Sequence, residues 1–540
     1  MKNMHKKIIA VAMSCMLLAL AGCGQSGSDP VSSTPSAEPV ESETKILTLA
    51  TAKELDNLTT LTMNKENNIA CGLVYETLVG YEDGEIVPGL AEKWNWDDTD
   101  TILTFNLRQG VTFTDGTPFN AESVKAILEF DSSNPNFSGI KGIYNIESVE
   151  AVDEYVVAVH YAAPCFSYIN DFCFQNVAGM MSPEVFEADN FQTFTDAVGT
   201  GPYVREEMIS GDCTRFVRNE NYWGEAPYYD EVIVKYIPES SSRLQALQTG
   251  EIDLIYGADL ISYDDYNQAL SLNGIEGAIN EGNTLTRNLV LNASSPMLSD
   301  LSVRQAIAYA INKDEITEGL TYGFETPATT LFSEGAPYTD ITYNNTWSYD
   351  LEKANSLLDE SGWVMNNSTG FREKDGQTLT LNYTYWTDLS LAQDMALAIK
   401  TQLAQVGINA ETTGQDQMTW WTEGVAGNYD ITTWNTEGSY TEPHKFLQES
   451  LGADPQAISL QALADFQGYS DAVNQFSTSA DPEVVQEAVA TALNISNDNV
   501  ITLPISYSKD LIVYNSSKIA GYTFSSVPQF FDISNVQPVK

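Results

Sequence analysis

The run over residues 218–257, RNENYWGEAPYYDEVIVKYIPESSSRLQALQTGEIDLIYG, commits much of the chain to alternating α/β structure. Residues 218–229 mix aromatics with Asn, Gly and Pro, the composition of a packed surface loop. Val232, Val234 and Tyr236 alternate with Ile233, Lys235 and Ile237. This β-branched run is stopped by Pro238, which predicts a strand. Ser241 or Ser242 is placed to cap a helix carrying Leu244 and Leu247 on one side. Gly250 supplies a residue that tolerates positive φ at the helix end. Residues 252–255 then re-enter a sheet, so the unit is βαβ-like.

With 540 residues, 43% of them hydrophobic and 11% aromatic, the chain can bury large cores in two or more lobes. The net charge is −48. That sign repels phosphate backbones and anionic lipid, which argues against nucleic-acid binding and suits solubility at an exposed surface.

Residues 1–22 place lysines before an apolar run from Ile8 to Ala21, a leader too short to span a membrane. Losing Lys2, Lys6 and Lys7 with it leaves 23 basic residues against 74 acidic ones, a net of −51. Residues 23–44, rich in Ser, Pro, Gly, Glu and Thr, are expected to form a disordered tether. The folded part is expected to begin near Lys45, with residues 46–50 as the first strand. Cys71, Cys165, Cys173 and Cys213 allow three pairings or free buried thiols, and spacing does not choose between them. No CxxC pair supports a zinc-ribbon or thioredoxin-type reading.

Further along, Leu103, Phe105 and Leu107 alternate with polar residues as in a half-buried strand, Asp115-Gly116 marks a tight turn, and residues 119–130 predict a helix. Val303, Ala306, Ile307, Ala310 and Ile311 form one apolar helical face, capped by Asp300 or Ser302. Helices over 351–361 and 391–406 end at Gly362 and Gly407, with a strand over 379–385.

Three linked motifs carry a family resemblance. Gly199-Thr200-Gly201-Pro202-Tyr203 precedes Arg218 to Gly224 (RNENYWG), and Ser242 to Asp253 follows. In this wording the chain resembles the extracellular solute-binding proteins, family 5, of peptide and nickel ABC importers. Residues 88–118 and the VRQAIAYAINK helix from Val303 are similar to further family segments. The resemblance implies a two-lobed, periplasmic-binding-protein-like α/β fold with mixed sheets, a discontinuous first lobe and an interlobe ligand cleft. Lobe I would span 45–285 with 505–540 returning to it, and lobe II 286–504. Leu503-Pro504-Ile505-Ser506-Tyr507 resembles the return strand into the first lobe. Two crossings make a hinge that can close around a ligand.

Leu20-Ala21-Gly22-Cys23 resembles a bacterial lipobox, which implies cleavage before Cys23, lipid on that residue and anchoring at the extracytoplasmic face of the cell membrane. The implied partners are a small ligand and an ABC permease with its ATPase. A monomer is expected, with no cofactor and no resident metal.

Residues 429–447 run from a strand into a loop dense in aromatics, carboxylates and one His, the kind of loop that holds ligand at strand ends. The resemblance implies that Trp434 stacks on the ligand. Glu437, three residues on, matches the acidic residue with which peptide binders pair an ammonium group, a contact that offsets the cost of burying that charge. Tyr440 would donate a hydrogen bond. The nickel branch is similar in overall wording and would use Trp434, Tyr440 and Glu442-Pro443-His444. Its metal-contacting His falls near Asp454, and its arginine-rich stretch stands here as residues 173–179 without Arg. Guanidinium forks are the natural partners of an anionic chelate. Only His160 and His444 remain beyond the leader, too few for a multi-imidazole nickel site. The expected ligand is therefore a peptide or peptide-like molecule, with nickel or a nickel chelate as the alternative. No GxSxG, HExxH, Walker A or GxGxxG motif stands in a fitting context, so no enzyme is expected.

Overall fold

Two large sheets organise the chain in a computed structural model. It describes residues 44–540 except 56–57, 59–67, 83–84, 138–139, 174, 186–195, 258–259, 283, 334–335, 437–442, 444–445, 448–462, 464 and 526–529.

The apolar strand Ile46–Thr51 lies in the middle of the first, seven-stranded sheet. It pairs in parallel with Glu231–Tyr236 on one side and, at Leu49, with Leu254–Tyr256 on the other. The βαβ unit anticipated over 218–257 thus closes around the N-terminal strand. Outside Glu231–Tyr236 run Cys213–Arg218 and Tyr203–Ile209, both antiparallel. Outside Leu254–Tyr256 comes Leu511–Asn515, from near the end of the chain, and then Ile275–Ile279. Leu47, Leu49, Val232 and Leu254 enter one core, while Ala50, Ile255, Leu511 and Val513 enter another, as strand alternation requires.

The crossover helix begins earlier than expected, at Ser240. Glu239 takes the cap position and no side chain caps it. Ser240 Oγ is engaged by Asp265 Oδ2 (2.5 Å) and by the Ser262 amide (3.2 Å). Gly250 ends the helix in the left-handed region, φ 77°, as its sequence position indicated.

The second sheet has six strands. Thr286–Leu291 lies between Ile431–Asn435 and Thr502–Tyr507, antiparallel to both. Thr380–Trp386 is parallel to Ile431–Asn435, and Asn409–Gln415 is parallel to Thr380–Trp386. Thr326–Pro327 forms the other edge. Helices Leu301–Ala310, Leu351–Glu360 and Ala392–Gln405 pack on one face. Asp300 Oδ1 caps the first of these by accepting from the Ser302 amide (2.9 Å).

The segment over 503–507, expected to lead back into the first lobe, pairs instead with Thr286–Leu291. The chain re-enters the seven-stranded sheet only at Leu511. The two connections between the sheets, 280–285 and 508–510, lie side by side. The Asn280 amide donates to Asp510 O (2.8 Å), the Thr284 amide to Ser508 O (3.0 Å) and the Ser508 amide to Leu285 O (2.9 Å).

A four-stranded antiparallel sheet, Ala91–Trp96, Ile102–Leu107, Val156–Tyr161 and Ile146–Asp153, carries a separate core with helix Ala121–Ser132. That helix starts two residues later than the pattern at 119–130 implied. Asn120 and Ser123 form a reciprocal cap there, while Phe119 is buried in the core ahead of it. Cys71, Cys165, Cys173 and Cys213 are all free, and burial pushes the Cys71 and Cys165 thiols up to about 12. Among the described residues no helix is long and apolar enough to cross a membrane.

Candidate functional site

The motifs that carry the resemblance prove to be structural latches. Gly201 N donates to Val74 O (2.9 Å), and Asn219 donates through its amide N–H to Pro202 O (2.8 Å) and through Nδ2 to Gly201 O (2.9 Å). Glu76 accepts from Thr200 Oγ1 (2.8 Å), Tyr222 OH (2.9 Å) and Trp223 Nε1 (2.7 Å). The GTGPY turn and the RNENYWG loop are thereby tied to the segment following helix Asn68–Val74. Burial raises the Glu76 carboxyl above its ordinary range, against the opposing pull of its three donors. The motif arginines act similarly. Arg243 is 2% exposed and donates to the carbonyls of Leu260, Ile237 and Pro238, while Arg304 donates to those of Asn499, Leu298 and Ser299.

A different constellation lies at the carboxyl ends of the parallel strands in the six-stranded sheet, the usual ligand position in open α/β sheets. Register sets Gln415 opposite Trp386 and Asn288 opposite Trp434. Thr384 faces Thr432 two residues earlier, and Thr384 Oγ1 donates to Thr432 Oγ1 (3.0 Å). Strand alternation therefore puts Gln415, Trp386, Trp434 and Asn288 on one face in one rung. Helix Gln417–Val425 lays Trp420 beside them. Its ring stacks on Trp386 (centroids 6.0 Å, 27°) and lies 6.2 Å from Trp434, while its Nε1 donates to Thr432 Oγ1 (2.9 Å).

This edge is poor in internal partners. Both side-chain polar atoms of Asn288, Trp386 Nε1, Gln415 Oε1 and Asn435 Oδ1 are buried without a hydrogen bond among the described residues. Each such group costs about 1–3 kcal/mol unless something else satisfies it.

The opposite face of the same strand ends carries an ionic cluster. Arg287 Nε pairs with Glu325 Oε1 (2.9 Å), and Glu325 also accepts from Tyr263 OH (2.7 Å) and Ser506 Oγ (2.6 Å). Tyr263 belongs to a helix between strands of the seven-stranded sheet, so this buried cluster spans both sheets next to the paired crossings. Tyr322 OH bonds Asp264 beside it, and Phe324 packs on Tyr263 and Tyr266.

Of the residues expected to bind ligand, Trp434 lies in this rung. Glu437, Tyr440, His444, Asp454 and the lipidation residue Cys23 lie outside the described residues. His160 is on a strand, 3.7 Å from Glu150. Trp386, Trp420, Gln415 and Asn288 were missed by the sequence reading. The Trp pair at 420–421 and the polar Arg-Asn in a buried strand were the available signals.

Two mixed α/β sheets linked by a double crossing, with a polar aromatic rung at the strand ends, define a two-lobed solute-binding fold of the periplasmic-binding-protein type. The family model for "Bacterial extracellular solute-binding proteins, family 5 Middle" matches residues 85–457, and the chain belongs to that family. It is 27% identical over 482 residues to the nickel-binding periplasmic protein of Escherichia coli K12, covering 87% of this chain and 90% of that one. It is 30% identical over 347 residues to the glutathione-binding protein GsiB of Salmonella typhi, covering 63% of this chain and 64% of the relative. NikA from Brucella suis, solved with Fe(III)-EDTA, superposes with a TM-score of 0.86 at 28% identity, over 92% of this chain and 100% of that one. These are transport proteins rather than enzymes by family.

Proposed function

We propose that this protein is a lipid-anchored substrate-binding component of an ABC importer that captures a peptide or peptide-like ligand. Lipid on Cys23 and a tether over 23–44 hold it at the extracytoplasmic face of the cell membrane, as a monomer. Lobe I, beginning near residue 45, and lobe II, beginning near residue 286, close on the ligand by bending at 280–285 and 508–510, and the closed form delivers it to the permease and its ATPase. The carrying observation is the aromatic rung Trp386, Trp420 and Trp434 at the strand ends, beside those crossings. Trp434 stacks on the ligand, Glu437 pairs with its ammonium group and Tyr440 donates to it.

A second reading is favoured by the extent of the match to the E. coli nickel-binding protein. In it the ligand is nickel or a nickel chelate, and His444 and Asp454 lie nearest the metal.

Native mass spectrometry of the purified protein, before and after mild denaturation, separates the two. A released ladder of short peptides supports the first reading. A single adduct with the nickel isotope pattern overturns it in favour of the second. Glu437→Gln is expected to weaken peptide binding about tenfold or more, through loss of a charge-assisted contact. Unchanged affinity would remove the ammonium role.

A further inference from the structure

Asn288 is 1% exposed, yet neither Oδ1 nor Nδ2 has a partner among the described residues. Across the sheet its neighbours are Trp434 on one side and Pro504 on the other. The strand Thr286–Leu291 is buried along its whole length, so bulk water does not serve the amide. Two residues of the same rung share the condition, since Trp386 Nε1 lacks an acceptor and Gln415 Oε1 lacks a donor.

We propose that Asn288 is a specificity-determining contact of the ligand site, acting with Trp386 and Gln415 to bind neutral amide groups of the ligand. The proposal rests on the reading that ligand sits at these strand ends. The chemistry of the rung names the ligand class. It offers two donors, Asn288 Nδ2 and Trp386 Nε1, and two acceptors, Asn288 Oδ1 and Gln415 Oε1. An amide offers the complement, one N–H and one C=O, which an Asn side chain can meet bidentately. The four residues of the rung are uncharged, and the neighbouring Arg287 is taken by Glu325. A peptide backbone or carboxamide is therefore matched, while a polyanionic chelate finds no free cation among the described residues of the rung. The flanking indoles supply flat apolar surface for the rest of the ligand.

The test compares the full chain with its Asn288→Leu and Gln415→Met variants by calorimetric titration of a mixed-sequence library of tri- to pentapeptides. Nickel with L-histidine is titrated in parallel. Asn288→Leu is expected to weaken peptide binding by at least about tenfold, and Gln415→Met by about threefold or more. The ligand-free Tm of Asn288→Leu is expected to hold or rise, since an unsatisfied amide is replaced by an apolar isostere. Peptide affinity unchanged in both variants overturns the role of the rung while leaving the peptide reading intact. Wild-type chain that takes nickel–histidine and no peptide overturns both. If Asn288→Leu fails to fold, the half-buried Gln415→Met decides alone, because its side chain anchors no core.

Discussion

A Cβ added at Gly199 would stand 2.1 Å from the Val74 carbonyl oxygen and 2.9 Å from the Val74 carbonyl carbon. Backbone cannot yield as a flexible side chain would. Gly199→Ala is therefore expected to lose about 2–3 kcal/mol in chemical denaturation, without touching any ligand contact. The family wording marked this glycine, and the close approach is the physical reason it stands there. Lys313 was marked too, as the last residue of the expected apolar helix, but its environment was not legible. It begins a separate helix, Lys313–Thr321, and its Nζ donates to Ala328 O (2.8 Å). Burial lowers its pKa to about 8 from 10.5. The folded state thus resists the charged form, a cost fully present below pH 8 and relieved as pH rises toward 10.5. Lys313 as a whole is only partly buried, so Lys313→Met should gain roughly 1–2 kcal/mol at pH 7. Thermal melts from pH 7 to pH 10.5 should show that advantage shrinking.

Helix ends were the most readable parts of the elements. Gly250, Gly362 and Gly407 all take positive φ where the apolar patterns stop, and Asp300 caps as its position suggests. Partners across sheets were not readable. The run LPISY is equally apolar whichever sheet receives it, and only tertiary pairing assigns it to Thr286–Leu291. Arg287 and Asn288 have the polarity of an exposed strand face, yet cover from both sides buries them. Nothing in the sequence joined Arg287 to Glu325 or to Tyr263, because that cluster assembles from four separate segments. Glu325→Ala, which strands a buried guanidinium, is expected to cost about 3–5 kcal/mol in urea denaturation. Tyr263→Phe removes a single hydrogen bond and should cost nearer 1 kcal/mol. A small effect of Glu325→Ala would mean that water reaches Arg287.

For the molecule as a whole, the α/β class and the family were legible, because long alternating patterns and linked motifs survive sequence divergence. The rung at the strand ends was only partly so, since it draws single residues from four strands and a helix. Ligand at a hundred times its Kd is expected to add about 2.7 kcal/mol to stability, so a rise in Tm with a peptide library, absent with buffer alone, gives an independent readout of capture. The placement of Leu511–Asn515 between Leu254–Tyr256 and Ile275–Ile279 also orders events in time. Among the described residues Ile275–Ile279 has no other strand partner in its sheet, so the N-terminal half cannot complete that edge while synthesis is under way. Such long-range closure is slow to form. The nascent chain stays unfinished until its final strands leave the ribosome, which postpones the slowest pairing to the end of synthesis.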